Sequence, residues 1–135
     1  MRLLGLDVGD ARIGVALGDI GTGVATPMSI LNIRSEDDGV AQVTSLAKEE
    51  GIMTVIIGIP RQPKDLSELS AQALKIKKFG DRLRLSGLVV EEEDETLSTA
   101  LASALGRDAG RKGSEDDLAA TSILQTYLDK LPRVS

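Results

Sequence analysis

The chain has 135 residues, the length of one compact domain, and its 41% hydrophobic and 27% charged residues are ordinary for a globular protein. Cysteine and histidine are absent, which excludes thiol nucleophiles, thiolate zinc sites, Ser-His-Asp triads and a histidine general base. The formal net charge is −5, although residues 61–84 carry seven basic and three acidic side chains. Whatever chemistry occurs must therefore use carboxylates, lysine, arginine, hydroxyls or the backbone.

The sequence contains no segment typical of membrane insertion or export. No apolar run approaches the roughly 20 residues that span a bilayer, and Asp7 stands where a signal peptide needs apolar residues. No repeat or linker divides the chain. We therefore expect a single domain over residues 1–135, located in the cytoplasm and without a membrane partner.

The first third of the chain predicts three strands. Apolar runs over residues 3–8, 13–17 and 24–31 are separated by short glycine-containing turns. Connections this short make consecutive strands antiparallel neighbours. Pro27 indicates that the third strand lies at an edge of the sheet or carries a bulge.

The apolar period then changes to that of a helix. Ser35 and Gly51 are typical N-cap and C-cap residues of a first helix. Residues 53–59 form a continuous apolar strand of the kind that is buried on both faces, and Pro60 ends it. Apolar residues at helical spacing over residues 69–83 predict a second amphipathic helix.

The last part of the chain predicts one more strand and two more helices. A fifth strand begins at Leu88 and continues into an acidic run. A short helix over residues 97–105 and a basic loop over residues 107–113 follow. Ser114 caps a final helix that continues to Leu131. The element order β-β-β-α-β-α-β-α-α predicts a mixed five-stranded sheet with helices on both faces, the order of the ribonuclease-H-like fold.

Asp7 interrupts a strand that is otherwise made of leucine and valine. A carboxylate in such a place is costly to bury unless it is paired, hydrogen-bonded or bound to a cation. Either it accepts the turn amides of Gly9 and Asp10 or it binds a cation, and the strand alone does not decide between these two interpretations.

Residues 91–95 place five carboxylates at the carboxyl end of the fifth strand. Strand alternation puts Glu91, Glu93 and Glu95 on one face. Glu92 and Asp94 belong to the other face. Most charge runs are solvated edges or loops, but open α/β sheets bind ligands beyond the carboxyl ends of their strands. A divalent cation would turn the repulsion among these groups into ligation.

Asp116 and Asp117 lie in the first turn of the last helix, where the helix dipole alone favours acidic residues by up to about 1 kcal/mol. Together with Asp7 and the acidic run, they supply carboxylates from three separate elements. Such a donor set, without histidine or cysteine, suits Mg²⁺ or Mn²⁺. Two such ions are the common apparatus of phosphodiester cleavage.

Four motifs occur in order along nearly the whole chain. They are residues 6–16 (LDVGDARIGVA), 56–60 (IIGIP), 94–99 (DETLST) and 116–125 (DDLAATSILQ). Together they resemble the motifs of the YqgF (RuvX-like) family of ribonuclease-H-like nucleases. Thr96 stands where that family has an arginine, and Glu92 is unusual for a central strand.

The resemblance implies a divalent-metal-dependent endonuclease that uses two Mg²⁺ or Mn²⁺ ions. The family is described as a Holliday junction resolvase and as a nuclease that trims the 5′ end of precursor 16S rRNA. If the roles of the family's motif residues apply to the matching positions here, Asp7 would bridge the two metals. The pair Asp94–Glu95 would supply the second ligand, with Glu95 favoured. Asp116 would supply the third, so Asp7, Glu95 and Asp116 are the expected catalytic residues.

Basic side chains close to these motifs are expected to contact nucleic acid. They are Arg12, Arg61, Lys64, Arg107, Arg111 and Lys112. The cations of the second predicted helix are interpreted as its solvated face. Phe79 and Tyr127 are expected in the core, so nucleic-acid binding would depend on phosphate contacts and on salt rather than on stacking.

Other functions remain alternatives at this stage. The chain could be a catalytically silent binding module with the same fold. Asp7 to Gly9, followed by a strand and Asp19, also resembles the phosphate loop of actin-like ATPases, although those proteins close two lobes around a nucleotide. The sequence does not choose between branched DNA and precursor rRNA. Junction cleavage would call for a two-fold homodimer.

Overall fold

The computed structural model describes residues 1–60, 66–94 and 115–132, and only the backbone for residues 66–70 and 115–117. The strands in this part of the chain are β1 (Arg2–Val8), β2 (Arg12–Asp19), β3 (Val24–Asn32), β4 (Thr54–Ile59) and β5 (Val89–Asp94). The helices are α1 (Glu36–Glu50), α2 (Leu66–Leu85) and α3 (Glu115–Lys130). The predictions of a helix over residues 97–105, of a basic loop over residues 107–113 and of a cap at Ser114 lie outside the described residues.

The five strands form one mixed sheet in the order β3-β2-β1-β4-β5. The pairs β1–β2 and β2–β3 are antiparallel, and the pairs β1–β4 and β4–β5 are parallel, which confirms the predicted topology. The β2–β3 register shifts between Val15, which faces Ser29, and Ala16, which faces Pro27. The third strand therefore has both the edge position and the bulge that the proline indicated.

β5 lies at the other edge of the sheet. Glu92 is therefore not in a central strand, and its carboxylate lies 4.0 Å from Lys77 of α2. The edge position explains why β5 tolerates so many charged residues, since β4 is the one strand that pairs with it in the described part of the chain.

Helices cover both faces of the sheet, as predicted. Leu4 and Leu6 of β1 belong to the core that α1 and α2 cover, whereas Leu3 belongs to the core that α3 covers. All six residues of β4 are buried, as expected for a strand enclosed on both faces. Because side chains alternate along a strand, Asp7 lies on the α3 face of β1.

The ends of α1 match the sequence prediction. The Ser35 hydroxyl accepts a hydrogen bond from the Asp38 amide at 3.1 Å, and Gly51 takes a left-handed conformation with φ of 68°. No described helix is long and apolar enough to cross a bilayer.

The helix α3 packs closely against the sheet through three residues spaced four apart, Ala120, Leu124 and Leu128. We call these three residues the seating stripe. A Cβ atom added at Gly5 would come within 2.7 Å of Leu124 Cβ and 3.0 Å of the Ala120 carbonyl oxygen. A Cβ atom added at Gly18 would meet the side-chain ends of Leu124 and Leu128. The two glycines therefore allow α3 to lie close against β1 and β2.

Gln125 fixes the same helix to β3. Its side-chain amide donates to the Gly23 carbonyl at 2.8 Å, and its side-chain oxygen accepts from the Ala25 amide at 2.9 Å. These bonds satisfy backbone groups of an edge region and set the position of α3 across the sheet.

Candidate active site

Asp7 is half-buried near the carboxyl end of β1, the position that the sequence predicted for a ligand-binding carboxylate. Its partner across β2 is Gly14. On β4, Leu6 pairs with Ile57, so Gly58 is the next position beside Asp7. Both strand neighbours of Asp7 thus lack side chains, and neither places one next to the carboxylate on the α3 face.

In the turn after β1, the first backbone amide binds a backbone carbonyl. The Gly9 N–H donates to the Arg12 carbonyl at 2.9 Å. The interpretation of Asp7 as a turn residue required this donor, so that interpretation loses one of its two proposed hydrogen bonds.

Arg12 lies on the same face of the sheet as Asp7. Its neighbour Ile13 is buried in the core under α1 and α2, so alternation turns Arg12 towards the α3 face. Arg12 is exposed and stands two positions from Gly14, about 7 Å along β2. Of the six basic residues predicted to contact nucleic acid, it is the one in the described part of the chain.

The acidic run follows the predicted alternation as far as the structure describes it. Glu91 and Glu93 contact α3, and Glu92 lies on the α2 side. Asp94 pairs with Ile59, which belongs to the core under α1 and α2. Asp94 therefore lies on the face of the sheet opposite to Asp7.

The seating stripe of α3 leads towards Asp7. Its carboxyl-terminal part lies over Gly18, which pairs with Leu3 of β1, and its amino-terminal part lies over Gly5. The next residue of β1 on this face is Asp7. One helical turn before Ala120 is Asp116, which the backbone places in the first turn of α3, as predicted.

Several predicted site residues are not part of this geometry. Glu95, Arg61, Lys64, Arg107, Arg111 and Lys112 lie outside the described residues, as does the side chain of Asp116. No group of three or more acidic side chains that could hold a metal occurs within residues 1–60, 71–94 and 118–132. Two of the three predicted ligands fall outside these ranges, so this finding does not test the metal site.

Four cations of α2 lie within 4.0 Å of a carboxylate oxygen. Arg82 lies 2.8 Å from Glu36, and Lys75 lies 3.4 Å from the exposed Asp10. Arg84 lies 2.8 Å from Asp81. The side chains of Lys75 and Arg84 are largely exposed, which supports the interpretation of these cations as the solvated face of α2, and the structure adds that they form ion pairs there.

Asp19, which the nucleotide-binding alternative invoked together with Asp7, lies at the opposite end of the β1–β2 pair. It faces Arg2, whereas Asp7 faces Gly14. The Gly21 amide donates to its carboxylate at 2.7 Å and lowers its pKa. The structure therefore does not bring the two aspartates together.

Phe79 is buried as predicted, and the prediction for Tyr127 is confirmed in part, because this residue packs against the core under α3. Tyr127 is only half-buried, and its hydroxyl donates to Glu91 at 2.7 Å. Desolvation, followed by the hydrogen bond to Glu91 and the negative charges of Glu91 and Glu93, raises the pKa of Tyr127 to about 12. The amphipathic stripe of the helix did not show that its edge meets an acidic strand.

We expect Tyr127 to titrate at a pH about two units above that of a free phenol. Because the chain has one tyrosine and no tryptophan, the ultraviolet absorbance of tyrosinate reports on this residue alone. The folded protein should titrate near 12, and the urea-unfolded chain near 10.

The same shift has a consequence for stability. The raised pKa favours the neutral phenol in the folded state, so its contribution is complete below pH 10 and is lost as the pH rises from 10 to 12. Glu91→Gln should lower the pKa of Tyr127 only in part, because burial is the larger cause. A folded-state midpoint near 10 would show that neither burial nor the contact with Glu91 raises the pKa of Tyr127.

Comparison with known proteins places the chain among nucleases. A family model described as RuvX, Holliday junction resolvase, matches residues 1–130. A relative from Desulforudis audaxviator is 42% identical over 137 residues, covering 96% of this chain and 94% of the relative. Another from Thermus thermophilus is 36% identical over 133 residues, covering 95% and 97%. Both carry the name "Putative pre-16S rRNA nuclease".

Solved structures agree on the fold. The chain is similar to T. thermophilus RuvC in complex with Holliday junction substrate, with a TM-score of 0.62 and 14% identity over 95% of this chain and 94% of that one. It is also similar to the large terminase nuclease of phage G20c with bound magnesium, with a TM-score of 0.59 and 13% identity over 93% and 80%. These likenesses confirm the predicted ribonuclease-H-like fold.

The family match covers nearly the whole chain, and both relatives exceed 30% identity. The chain therefore belongs to the RuvX family of Holliday junction resolvases, nucleases that hydrolyse phosphodiester bonds.

Proposed function

We propose that this protein is a divalent-metal-dependent endonuclease whose active site lies at the carboxyl ends of β1 and β5. The observation that carries the proposal is the position of Asp7. It is half-buried on the α3 face, between two glycine positions, and the seating stripe leads from Gly5 towards it with Asp116 one turn further on. Residues 1–135 would form one domain around this site.

The donor set fits Mg²⁺ or Mn²⁺. We propose Asp7, Glu95 and Asp116 as ligands, because carboxylates are the hard oxygen donors that these ions prefer. When bound, two such ions would activate a water molecule and stabilise the leaving oxygen. Asp7 would hold its carboxylate in a fixed direction from a rigid strand, and Arg12 on the same face would bind a backbone phosphate.

Glu95 is a better candidate for the second ligand than Asp94. Asp94 shares its register position with Ile59, whose side chain is buried on the side away from Asp7. Glu93 is on the α3 face, as the sequence alternation that groups it with Glu95 predicted, which favours Glu95 over Asp94 as a ligand on that face. This step supports the choice that the motif alone left open.

We therefore expect Glu95→Gln and Asp94→Asn to differ strongly, although each removes one negative charge. Glu95→Gln should lower metal-dependent cleavage by more than the roughly 10–100-fold typical of losing a residue that only supports a metal ligand. Asp94→Asn should retain the rate within a few-fold. Single-turnover cleavage at saturating Mn²⁺ measures both, and the reverse order would assign the ligand to Asp94.

The substrate that we propose is precursor 16S rRNA, which is the substrate named for relatives that are 36–42% identical to this chain. Four-way DNA junctions are the second candidate, since the family is described by that activity. The T. thermophilus RuvC structure with its junction supports nucleic-acid binding by this fold. A junction substrate would require a homodimer with two sites, and precursor rRNA would place the enzyme in the cytoplasm.

The test is a cleavage assay that offers three labelled substrates in parallel with Mg²⁺ or Mn²⁺. These are the 5′ leader region of 16S rRNA, a four-way DNA junction, and a linear duplex of the same sequence as one junction arm. Cutting of the leader RNA that stops on addition of EDTA is the expected result. Preferential cutting of the junction would assign the second substrate. If the folded protein cut none of the three substrates, the proposed nuclease activity would be wrong. The catalytically silent binding module would then be the remaining interpretation.

A further inference from the structure

Arg34, which lies between β3 and α1, is exposed, and its guanidinium forms no ion pair or hydrogen bond within the described residues. The arginines of α2 differ in this respect. Arg82 lies 2.8 Å from Glu36, and Arg84 lies 2.8 Å from Asp81. A guanidinium carries its N–H donors in a rigid fork that matches a carboxylate or a phosphate. Arg34 therefore presents a charged donor group that the described part of the fold does not use.

The carboxylates closest to Arg34 in the sequence are bound by other groups. They form the first turn of α1, where Arg82 binds Glu36 at 2.8 Å and Asp37 at 2.5 Å. The Asp38 carboxylate accepts a hydrogen bond from the backbone amide of Arg34 at 2.9 Å, and this bond is the main cause that lowers the pKa of Asp38. A cation before the first turn of a helix is also unfavourable to the helix dipole. The stability of α1 therefore does not explain the guanidinium of Arg34.

The backbone places Arg34 beside Arg12. Asn32 faces Arg12 in the β2–β3 register, and the Ile33 amide continues this pairing by donating to the Ala11 carbonyl at 2.9 Å. Ile33 packs against the core under α1 and α2, so alternation turns Arg34 towards the α3 face, as it does Arg12. The two arginines are diagonal neighbours, with Cα atoms about 7–8 Å apart.

Both arginines lie at the end of the sheet that carries Asp7. Asp7 faces Gly14, and Gly14 faces Ile30 on β3. Arg34 is therefore two strands away from Asp7, about 10 Å, and four residues further along the strand direction, about 13 Å. This separation is too large for contact with a bond that is cut at Asp7. It suits a phosphate further along the same nucleic-acid strand.

We propose that Arg34 binds a backbone phosphate outside the scissile bond, next to the phosphate that Arg12 contacts. An anion between the two arginines also relieves the repulsion of their like charges. Phosphates carry no base information, so Arg34 contributes affinity that is independent of sequence. This inference rests on the proposed function in taking nucleic acid as the ligand, but it does not depend on which residues hold the metal.

The experiment measures the affinity of the full chain for the labelled 5′ leader RNA of 16S rRNA by fluorescence anisotropy. EDTA prevents cleavage, and the salt concentration is varied from about 50 to 200 mM. We expect Arg34→Gln to weaken binding about tenfold at low salt, the loss of one hydrogen-bonded charge contact. The slope of log affinity against log salt should fall by about 0.7, which is one phosphate contact on a single strand. Arg34→Lys should keep that slope, because it keeps the charge, and lose part of the affinity, because it lacks the fork.

Lys48→Gln is the matched control. It removes the same charge from the last turn of α1, about 20 Å along the helix from Arg34. Its affinity should stay within about twofold of the wild type, with an unchanged salt slope. Arg34→Gln should unfold at the temperature of the wild type. Its single-turnover cleavage at saturating enzyme should stay within about threefold, since Arg34 does not touch the reacting atoms.

The outcomes separate this inference from the proposed function. If Arg34→Gln matched Lys48→Gln in affinity and salt slope, while the wild type bound and cleaved the RNA, the role of Arg34 alone would be wrong. If the wild type bound the RNA and never cut it with Mg²⁺ or Mn²⁺, the proposed nuclease would be wrong, and the salt series would still decide the role of Arg34. A folded wild type that bound neither the leader RNA nor a four-way DNA junction would overturn both.

Discussion

Replacement of Asp7 by asparagine is expected to lower metal-dependent cleavage on the order of 10³-fold, the scale of loss when a group that acts on the transition state is removed. Asparagine has almost the same shape as aspartate but no charge, so the half-buried position can accept it without a packing defect. Its neighbours across the sheet, Gly14 and the Gly58 position, leave the substituted side chain uncrowded from either strand. The loss should therefore appear in cleavage and in metal binding rather than in the fold.

Thermal unfolding with and without Mn²⁺ provides the independent readout. A metal at 100 times its dissociation constant stabilises the state that binds it by about 2.7 kcal/mol. The wild type should therefore unfold at a higher temperature when Mn²⁺ is added, and Asp7→Asn should not respond. Without metal, the variant should still unfold in one cooperative transition, which would show that the lost response to Mn²⁺ is not a lost fold.

Asp10→Asn is the matched control for this substitution. It removes the same charge three residues away, from an exposed side chain that lies 3.4 Å from Lys75. Cleavage and the response to Mn²⁺ should both be retained. If Asp7→Asn kept more than a tenth of the wild-type rate, Asp7 would not be a ligand and the site would have to be sought elsewhere.

Substitution of Gly5 by alanine should be the most destabilising single-methyl change in the described core. The added Cβ would lie 2.7 Å from Leu124 Cβ and 3.0 Å from the Ala120 carbonyl oxygen. Neither atom is at the end of a flexible side chain, so α3 itself must move. Overpacking of this kind costs about 1–3 kcal/mol, partly offset by the lower entropy of alanine in the unfolded chain. Urea unfolding followed by circular dichroism measures the change.

The same substitution should reduce cleavage in the molecules that remain folded, since α3 carries Asp116 and a displaced helix moves it. Gly18→Ala is the comparison, because its added Cβ would meet the Cδ2 atom of Leu124 and the Cδ1 atom of Leu128, which can rotate away. We expect it to cost less than Gly5→Ala in both measurements. An equal loss of stability and of cleavage at both positions would mean that α3 shifts without resistance. Its close packing against Gly5 would then not determine the position of Asp116.

Much of the fold could be predicted because its signals are local. The spacing of apolar residues distinguished strands from helices, and the caps at Ser35 and Gly51 are properties of a few consecutive residues. The antiparallel start of the sheet followed from turns too short for any other connection. Alternation alone also placed Glu91 and Glu93 on one face and Glu92 on the other.

The candidate site was predictable to a smaller extent. Asp7 stood out because a carboxylate in an apolar strand contradicts its surroundings, and the resemblance of the motifs supplied the other two ligands. The resemblance already favoured Glu95 over Asp94, and the register of β5 against β4 supports that preference, since Ile59 shows which face Asp94 takes. The ion pair between Lys130 and the buried Glu93 had no signal in the sequence, because a lysine at the end of a helix is ordinary.

By itself, the sequence determined the types of the elements, their order, the face to which each strand residue belongs, and the exclusion of thiol and imidazole chemistry. Only the tertiary structure decided that β5 is an edge strand, that Gly5 and Gly18 seat α3, and that Lys130 compensates the buried Glu93. The physical reason is that local periodicity encodes how one element is oriented. Which elements become neighbours depends on contacts summed over the whole core, between residues far apart in the chain.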